Sequence, residues 1–300
     1  NPRPWSSAAS DVYKRQDPAW LALREAADAR ARAATLLDTL LARRRGGAPR
    51  RILDLATGTG SNLRYLAPRI GGRQTWLLTD VDQRQLDTLP EAMGAWATGP
   101  GYRVDRPTGS FAISGCDFHC EAATLRIDLA QGLARLPLRG RDLVTASALL
   151  DLVSAPWVAA LVEACRQAGA DLLFALTYDG RVAFEPPLAD DQPVIRLVNR
   201  HQRSDKGFGP ALGPAASAVV ADRLRRRGYR VLRRASDWRI ESDETELQAS
   251  LLRGWLAAAS EMAPEAGERL RAWHARRLER LSQGLSRISV GHQDLLGLRD

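Results

Sequence analysis

Two acids and two glycines stand at spacings that could hold a nucleoside. Residues 51–62 read Arg-Ile-Leu-Asp-Leu-Ala-Thr-Gly-Thr-Gly-Ser-Asn, a short apolar run closed by Asp54, then a glycine turn and a helix start. A second apolar run, Trp76-Leu77-Leu78-Thr79, ends in Asp80. A strand, turn, helix and second parallel strand would bring this turn and this acid together at the carboxyl ends of the two strands. Gly58 and Gly60 let the backbone approach a ligand closely, and a carboxylate at Asp80 can accept both hydroxyls of a ribose. Asp82 is an alternative on the same side if the strand persists; Asp80 is preferred because it closes the apolar run. The plainer reading is a glycine turn with no ligand, and the register of both parts argues against it. A dinucleotide fold would need a small residue three positions after its second glycine, where this chain has Leu63. No Gly-Lys-Ser/Thr phosphate loop occurs, so nucleotide triphosphate hydrolysis has no support.

Asp54-Leu55-Ala56-Thr57-Gly58-Thr59-Gly60 resembles motif I of the class I S-adenosylmethionine-dependent methyltransferases, usually written Asp-x-Gly-x-Gly-x-Gly. Ala56 replaces the first glycine, which asks for an ordinary backbone conformation there. The resemblance implies an α/β fold: a seven-stranded, mostly parallel, doubly wound sheet, with an N-terminal helix and a helical insertion before the last strand. It implies S-adenosylmethionine as cofactor, with Asp54 under the methionine part, and Ala56, Thr57, Gly58, Gly60 and Asn62 around the sulfonium and sugar. Asp80 and Val81 would meet the ribose. Asp128, after the run Ala122 to Ile127, would face the adenine amino group, with the Leu129 amide on the ring; an Asp capping a helix is an equally ordinary reading of Asp128. Ser147 and Ala148, leaving the fourth strand within Asp142 to Leu150, would lie beside the cofactor. The activity implied is methyl transfer to O or N of a small polar metabolite. The alternatives are a nicotinamide-dependent oxidoreductase, which Leu63 opposes, and a non-catalytic regulator that only binds the cofactor.

A proton-bearing acceptor would benefit from a general base near neutral pH. Of four histidines, His201 is the first choice and His292 the second. Tyr178 and Asp151, at the exits of the fifth and fourth strands, are the other catalytic candidates. The segment Asn199 to Pro214, read as the loop after strand five, packs three cations, an imidazole, an acid, an aromatic and three glycines into sixteen positions. Arg200, Asp205, Lys206 and Phe208 are its substrate-binding candidates. A solvated, glycine-tethered surface connection is the competing reading. Cys116, His119 and Cys120 fit no zinc spacing, so no metal is expected and these cysteines read as structural.

The elements that must position these residues follow from periodicity. Residues 17–45 read as one amphipathic helix ending at Gly46-Gly47, and helix 156–168 begins with Pro156 and ends near Gly169. The fifth strand is Leu172 to Thr177, closed by Tyr178-Asp179; the sixth is Tyr229 to Ala235 and the seventh Arg287 to Gly291. Thr98 to Gly115 is a Gly-, Pro- and Thr-rich excursion. Residues 241–284 form a helical insertion, whose Trp255 and Trp273 read as core. Residues 17–300 read as one domain. Residues 1–16 read as a non-native or disordered leader, like the translated adapter at the ends of some metagenomic gene models.

The net charge of +8 raises the question of nucleic acid. The arginines are dispersed among acids, and the denser cluster from Arg223 to Arg234 suits a helix end and a protected edge strand. The Asn/Asp-Pro-Pro-aromatic segment and the Pro-Cys nucleophile of base methyltransferases are absent after strand four. A small-molecule substrate is expected and nucleic acid is disfavoured. No apolar run reaches the ~20 residues of a membrane span, and three cysteines describe no disulfide framework. A cytoplasmic setting is the simplest account.

Overall fold

The computed structural model describes residues 17–43, 50–106 and 109–299. The leader at 1–16 and the helix stop at Gly46-Gly47 lie outside the described residues. Strands β1 (Arg50–Leu55), β2 (Gly72–Asp80), β5 (Phe118–Arg126), β6 (Leu143–Ser147) and β7 (Asp171–Glu185) run parallel, in the order β5-β2-β1-β6-β7. β10 (Arg287–Leu298) lies antiparallel between β7 and β8 (Arg230–Ala235), and β8 forms the edge. These are the seven strands expected, and helices cover both faces of the mostly parallel sheet they make.

Three further strands extend the sheet. The excursion at 98–115 carries β3 (Arg103–Asp105) and β4 (Ser110–Ser114), which continue the sheet antiparallel beyond β5. The alternation in Phe111-Ala112-Ile113 explains why: Phe111 and Ile113 are buried on one face. β9 (Trp238–Ile240) pairs with the first half of β10. β7 does not close at Tyr178-Asp179. It bends at Gly180 (φ +89) and continues to Glu185 against β10, with Val182 and Phe184 buried. The last strand likewise runs on past Gly291, to Leu298.

The single N-terminal helix is two helices, α1 (Pro18–Ala31) and α2 (Ala34–Ala42). Asp17 caps the first by accepting from the Ala19 amide. The break falls at Arg32, which is extended (φ −58, ψ 137). It is fixed by side chains: the Arg32 guanidinium donates to Asn62 Oδ1 at 2.6 Å, and Asp294 Oδ2 accepts from the Ala33 amide at 2.9 Å.

Between strands come α3 (Ser61–Ile70), α4 (Gln83–Thr98), α5 (Leu129–Gly132), α6 (Ala155–Ala168), α7 (Asp191–His201) and α8 (Ala216–Arg226). The insertion is the pair α9 (Thr245–Met262) and α10 (Gly267–Ser282). It is anchored by a buried ion pair between Arg277 and Asp191, with the Trp273 indole donating to the same carboxylate at 2.9 Å. α1, α7, α9 and α10 share one apolar cluster with the β7, β9 and β10 extensions. No helix among the described residues is long and apolar enough to cross a membrane.

Candidate active site

The loop after β1 is shaped by three left-handed residues: Ala56 (φ +51), Gly58 (φ +54) and Gly60 (φ +81). The ordinary conformation expected at Ala56 is therefore not what it adopts. The chain must turn sharply off β1 so that the Thr57 amide can reach the Thr79 carbonyl of β2, at 2.9 Å. A Cβ at Gly60 would come within 2.5 Å of the Met93 methyl, so only glycine fits over α4. Asp80 receives the Gly58 amide on Oδ2 (2.9 Å) and the Asp82 amide on Oδ1 (3.0 Å), and burial raises its pKa. Asp82 instead caps α4 and pairs with Arg84.

Asp54 lies beneath the loop. Its carboxylate accepts from the Thr57 hydroxyl and the Asn62 amide, both at 2.6 Å. Burial pushes its pKa up to about 6 against those two donors and Arg32. The acid shapes the loop, and Thr57 and Asn62 carry that shape into the cleft.

The cleft spans the carboxyl ends of β1, β2, β5 and β6 and encloses about 1130 Å³, mouth included. Ala56 to Thr59, Ser61 and Asn62 form its floor; Asp80, Val81 and Gln85 one end; Ile127, Asp128, Leu129 and Ala130 a wall. Ser147, Ala148, Leu149 and Leu152 continue it, and Lys206, Gly207 and Phe208 approach from the other side. Asp128 lines the cleft and also caps α5 through the Ala130 amide (3.0 Å). Gly60 packs behind the floor against Leu89 and Met93.

A second chamber of about 1150 Å³ shares Arg24, Ala148 and Leu152 with the cleft. Three of the catalytic candidates, Asp151, Tyr178 and His201, line it together with His292. Burial pushes Asp151 up to about 6, and backbone amides of Asp151 and Tyr178 draw it partly back. Burial lowers His292 to about 4, leaving a neutral imidazole. His201 is lowered by burial and by Lys206, and its Nε2 meets Glu261 at 3.1 Å. The Tyr178 hydroxyl, raised by burial, donates to Asn199 Oδ1 at 2.8 Å. Ala148 (φ +53) and Leu176 (φ +55), at the ends of β6 and in β7, are left-handed like Ala56. Strained residues therefore face the cavities at three neighbouring strands.

The segment from Asn199 is not a loop throughout, because Asn199 to His201 end α7. Arg200 lies outside both cavities: it is exposed and donates to the Met262 carbonyl, tying α7 to α9. Asp205 is also outside, receiving the Gly207 and Gly209 amides at 2.7 and 3.0 Å and so folding the turn that presents Lys206 and Phe208. Lys206 is buried, donates to the Ser204 hydroxyl at 2.8 Å, and is lowered by burial to about 8. Phe208 packs edge-on against Trp157.

Sequence reasoning missed Arg24, Asp28 and Asp294. Trp20, Arg24 and Asp28 recur every four residues, so they share one face of α1, a signal visible in the sequence. Arg24 pairs with Asp28 at 2.9 Å, and Asp28 also receives the Trp238 indole at 3.0 Å. Asp294 bridges distant segments, which no local pattern announces. Trp273 and Trp255 are both core, as expected, and Trp255 also lines the chamber.

No family model matches the chain, and none of the curated proteins matches it. Solved structures similar to it include a SAM-dependent methyltransferase from Thiobacillus denitrificans in complex with S-adenosyl-L-homocysteine. That pair shares 17% identity over 95% of this chain and 100% of that one, with a TM-score of 0.43. A cyclopropane synthase from Mycobacterium tuberculosis shares 12% identity over 88% and 83%, with a TM-score of 0.45. An O-methyltransferase family protein from Burkholderia thailandensis shares 15% over 75% and 55%, with a TM-score of 0.43. At this distance the functional reading rests on the cleft itself.

Proposed function

We propose that the protein is an S-adenosylmethionine-dependent methyltransferase acting on O or N of a small molecule. The observation that carries this reading is the adjacency of two cavities, both lined by Arg24, Ala148 and Leu152, one suited to the cofactor and the other holding a titratable base. The cofactor would supply an activated methyl group on a sulfonium. The residues present fit it. Asp80 offers carboxylate oxygens to ribose hydroxyls, and Val81, Ile127 and Leu129 give an apolar slot for a flat base beside Asp128. The backbone from Ala56 to Gly58, with Asn62 and Ser147, surrounds the remainder.

What the chain must do is place an acceptor and remove its proton. Positioning of reacting groups can account for roughly 7–11 kcal/mol of barrier lowering. Asp151 is the base, because its pKa near 6 leaves it ionised at neutral pH and close enough to neutrality to hold a proton. Neutral His292 and Tyr178 orient the acceptor, and His201 with Glu261 closes the far side. Lys206 and Phe208 cover the cofactor side, while Arg200 and Asp205 act through the turns they hold. A chamber beside the cleft, lined in part by the same residues, favours catalysis over a regulator that only binds. Buried Leu63, on the helix beneath the loop, opposes a dinucleotide. Calorimetric titration tests the reading: S-adenosylhomocysteine should bind and NAD should not, and the reverse result would replace it with the oxidoreductase.

A further inference from the structure

The second chamber has a chemical character of its own. Trp20 and Trp238 stand 6.5 Å apart edge-on, Trp255 faces in from α9, and His292 sits between Trp238 (5.1 Å) and Tyr178 (6.1 Å). Aromatic walls at this density suit either a flat ring or an organic cation. The cation place is taken, since the Arg24 guanidinium lies 5.4 Å from the Trp238 ring centre at the junction with the cleft.

The wall also carries polar groups, Tyr178, His201, Gln202, Ser250 and His292 among them. Arg24 lines both cavities, and Asp151 lines the chamber next to the shared Leu152.

We propose that this chamber takes a flat aromatic acceptor bearing a hydroxyl, its ring among Trp20, Trp238 and Trp255 and its oxygen towards Arg24 and Asp151. The proposal rests on the methyl-transfer reading of the adjoining cleft, and it replaces the small polar metabolite with an aromatic one. In the reaction the acceptor oxygen bonds to the methyl carbon, sulfur keeps the electron pair of the bond that breaks, and Asp151 takes the hydroxyl proton. Arg24, whose Nε and Nη2 hold Asp28, offers its Nη1 to the charge gathering on the oxygen.

The test uses the full chain, with 2-naphthol as an aromatic hydroxyl probe and ethanolamine as a small polar cation, each titrated by tryptophan emission and calorimetry. S-adenosylhomocysteine is titrated in parallel. 2-Naphthol should saturate the protein and ethanolamine should not. Gly254→Leu separates the chamber from the cleft: Gly254 lines only the chamber, on α9, and a Cβ there meets nothing within 4 Å, so a side chain can be added to that wall. It should weaken 2-naphthol at least tenfold and leave S-adenosylhomocysteine affinity within twofold. Trp255→Ala should do the same from the opposite direction, by removing a wall. Saturation by ethanolamine, absence of 2-naphthol binding, or 2-naphthol binding that neither substitution moves would overturn the aromatic acceptor while S-adenosylhomocysteine still binds. Failure of S-adenosylhomocysteine itself would instead remove the methyltransferase reading.

Discussion

Asp151 and Ala56 show how single residues trade stability for a site. Asp151 is buried with its folded pKa raised to about 6, so its ionised form opposes folding. Its contribution to stability is full below its unfolded value of about 3.9 and is lost as pH rises through 6. Asp151→Asn should therefore be at least as stable as the parent at pH 7 in urea unfolding, while methyl transfer falls by about 10²–10³. In the parent, the transfer rate should drop as pH falls through about 6, and that limb should vanish in the variant. A variant that unfolds earlier and keeps its rate would return Asp151 to a structural role. Ala56, at φ +51, carries strain that glycine would not. Ala56→Gly should raise stability by about 0.5–1 kcal/mol, read as a higher urea midpoint. At this scale the turn was legible from sequence because Asp54, Gly58 and Gly60 act within a few residues of one another. The backbone state of Ala56 was not, because it is imposed by pairing with Thr79, on a different strand.

Elements meet through buried polar side chains that no periodicity reveals. Asp294 holds the Leu176 amide at 2.8 Å and the Ala33 amide at 2.9 Å, which fixes the left-handed residue of β7 and the break between α1 and α2 together. Asp294→Ala should cost about 2–4 kcal/mol by orphaning two amides. It should also open the Arg32–Ala33 joint to trypsin, seen as early cleavage there; unchanged cleavage would mean that the joint is held by Arg32 alone. Arg277, fully buried, pairs with Asp191 and anchors the insertion beneath Phe184. Arg277→Ala should destabilise by about 3–5 kcal/mol in the same assay, since it strands a buried carboxylate. The insertion and the N-terminal helix were legible as elements from their 3.6-residue period. Their role as chamber walls was not, because Trp20, Trp238 and Trp255 belong to three segments that only tertiary packing brings together.

The whole molecule divides its labour along the sheet. The parallel half, β5 to β6, builds the cleft, while β7, β9 and β10 supply Leu176, Tyr178, Trp238, Val290 and His292 to the chamber beside α1, α7 and α9. Strand order and the cleft follow from a glycine turn and two acids whose spacing is local, so the sequence spoke clearly about one cavity. The other cavity depends on how far β7 and β10 run and where α1 breaks, both set by long-range contacts. A ligand that binds only the folded chain stabilises it by about 2.7 kcal/mol at a hundredfold excess over its Kd. Calorimetric titration of S-adenosylhomocysteine into the parent, Asp80→Ala and Asp82→Ala therefore tests the central claim most directly. Binding lost in Asp80→Ala and retained in Asp82→Ala is the result predicted. Binding absent from the parent, or indifferent to Asp80, would contradict the assignment of the cleft to this cofactor.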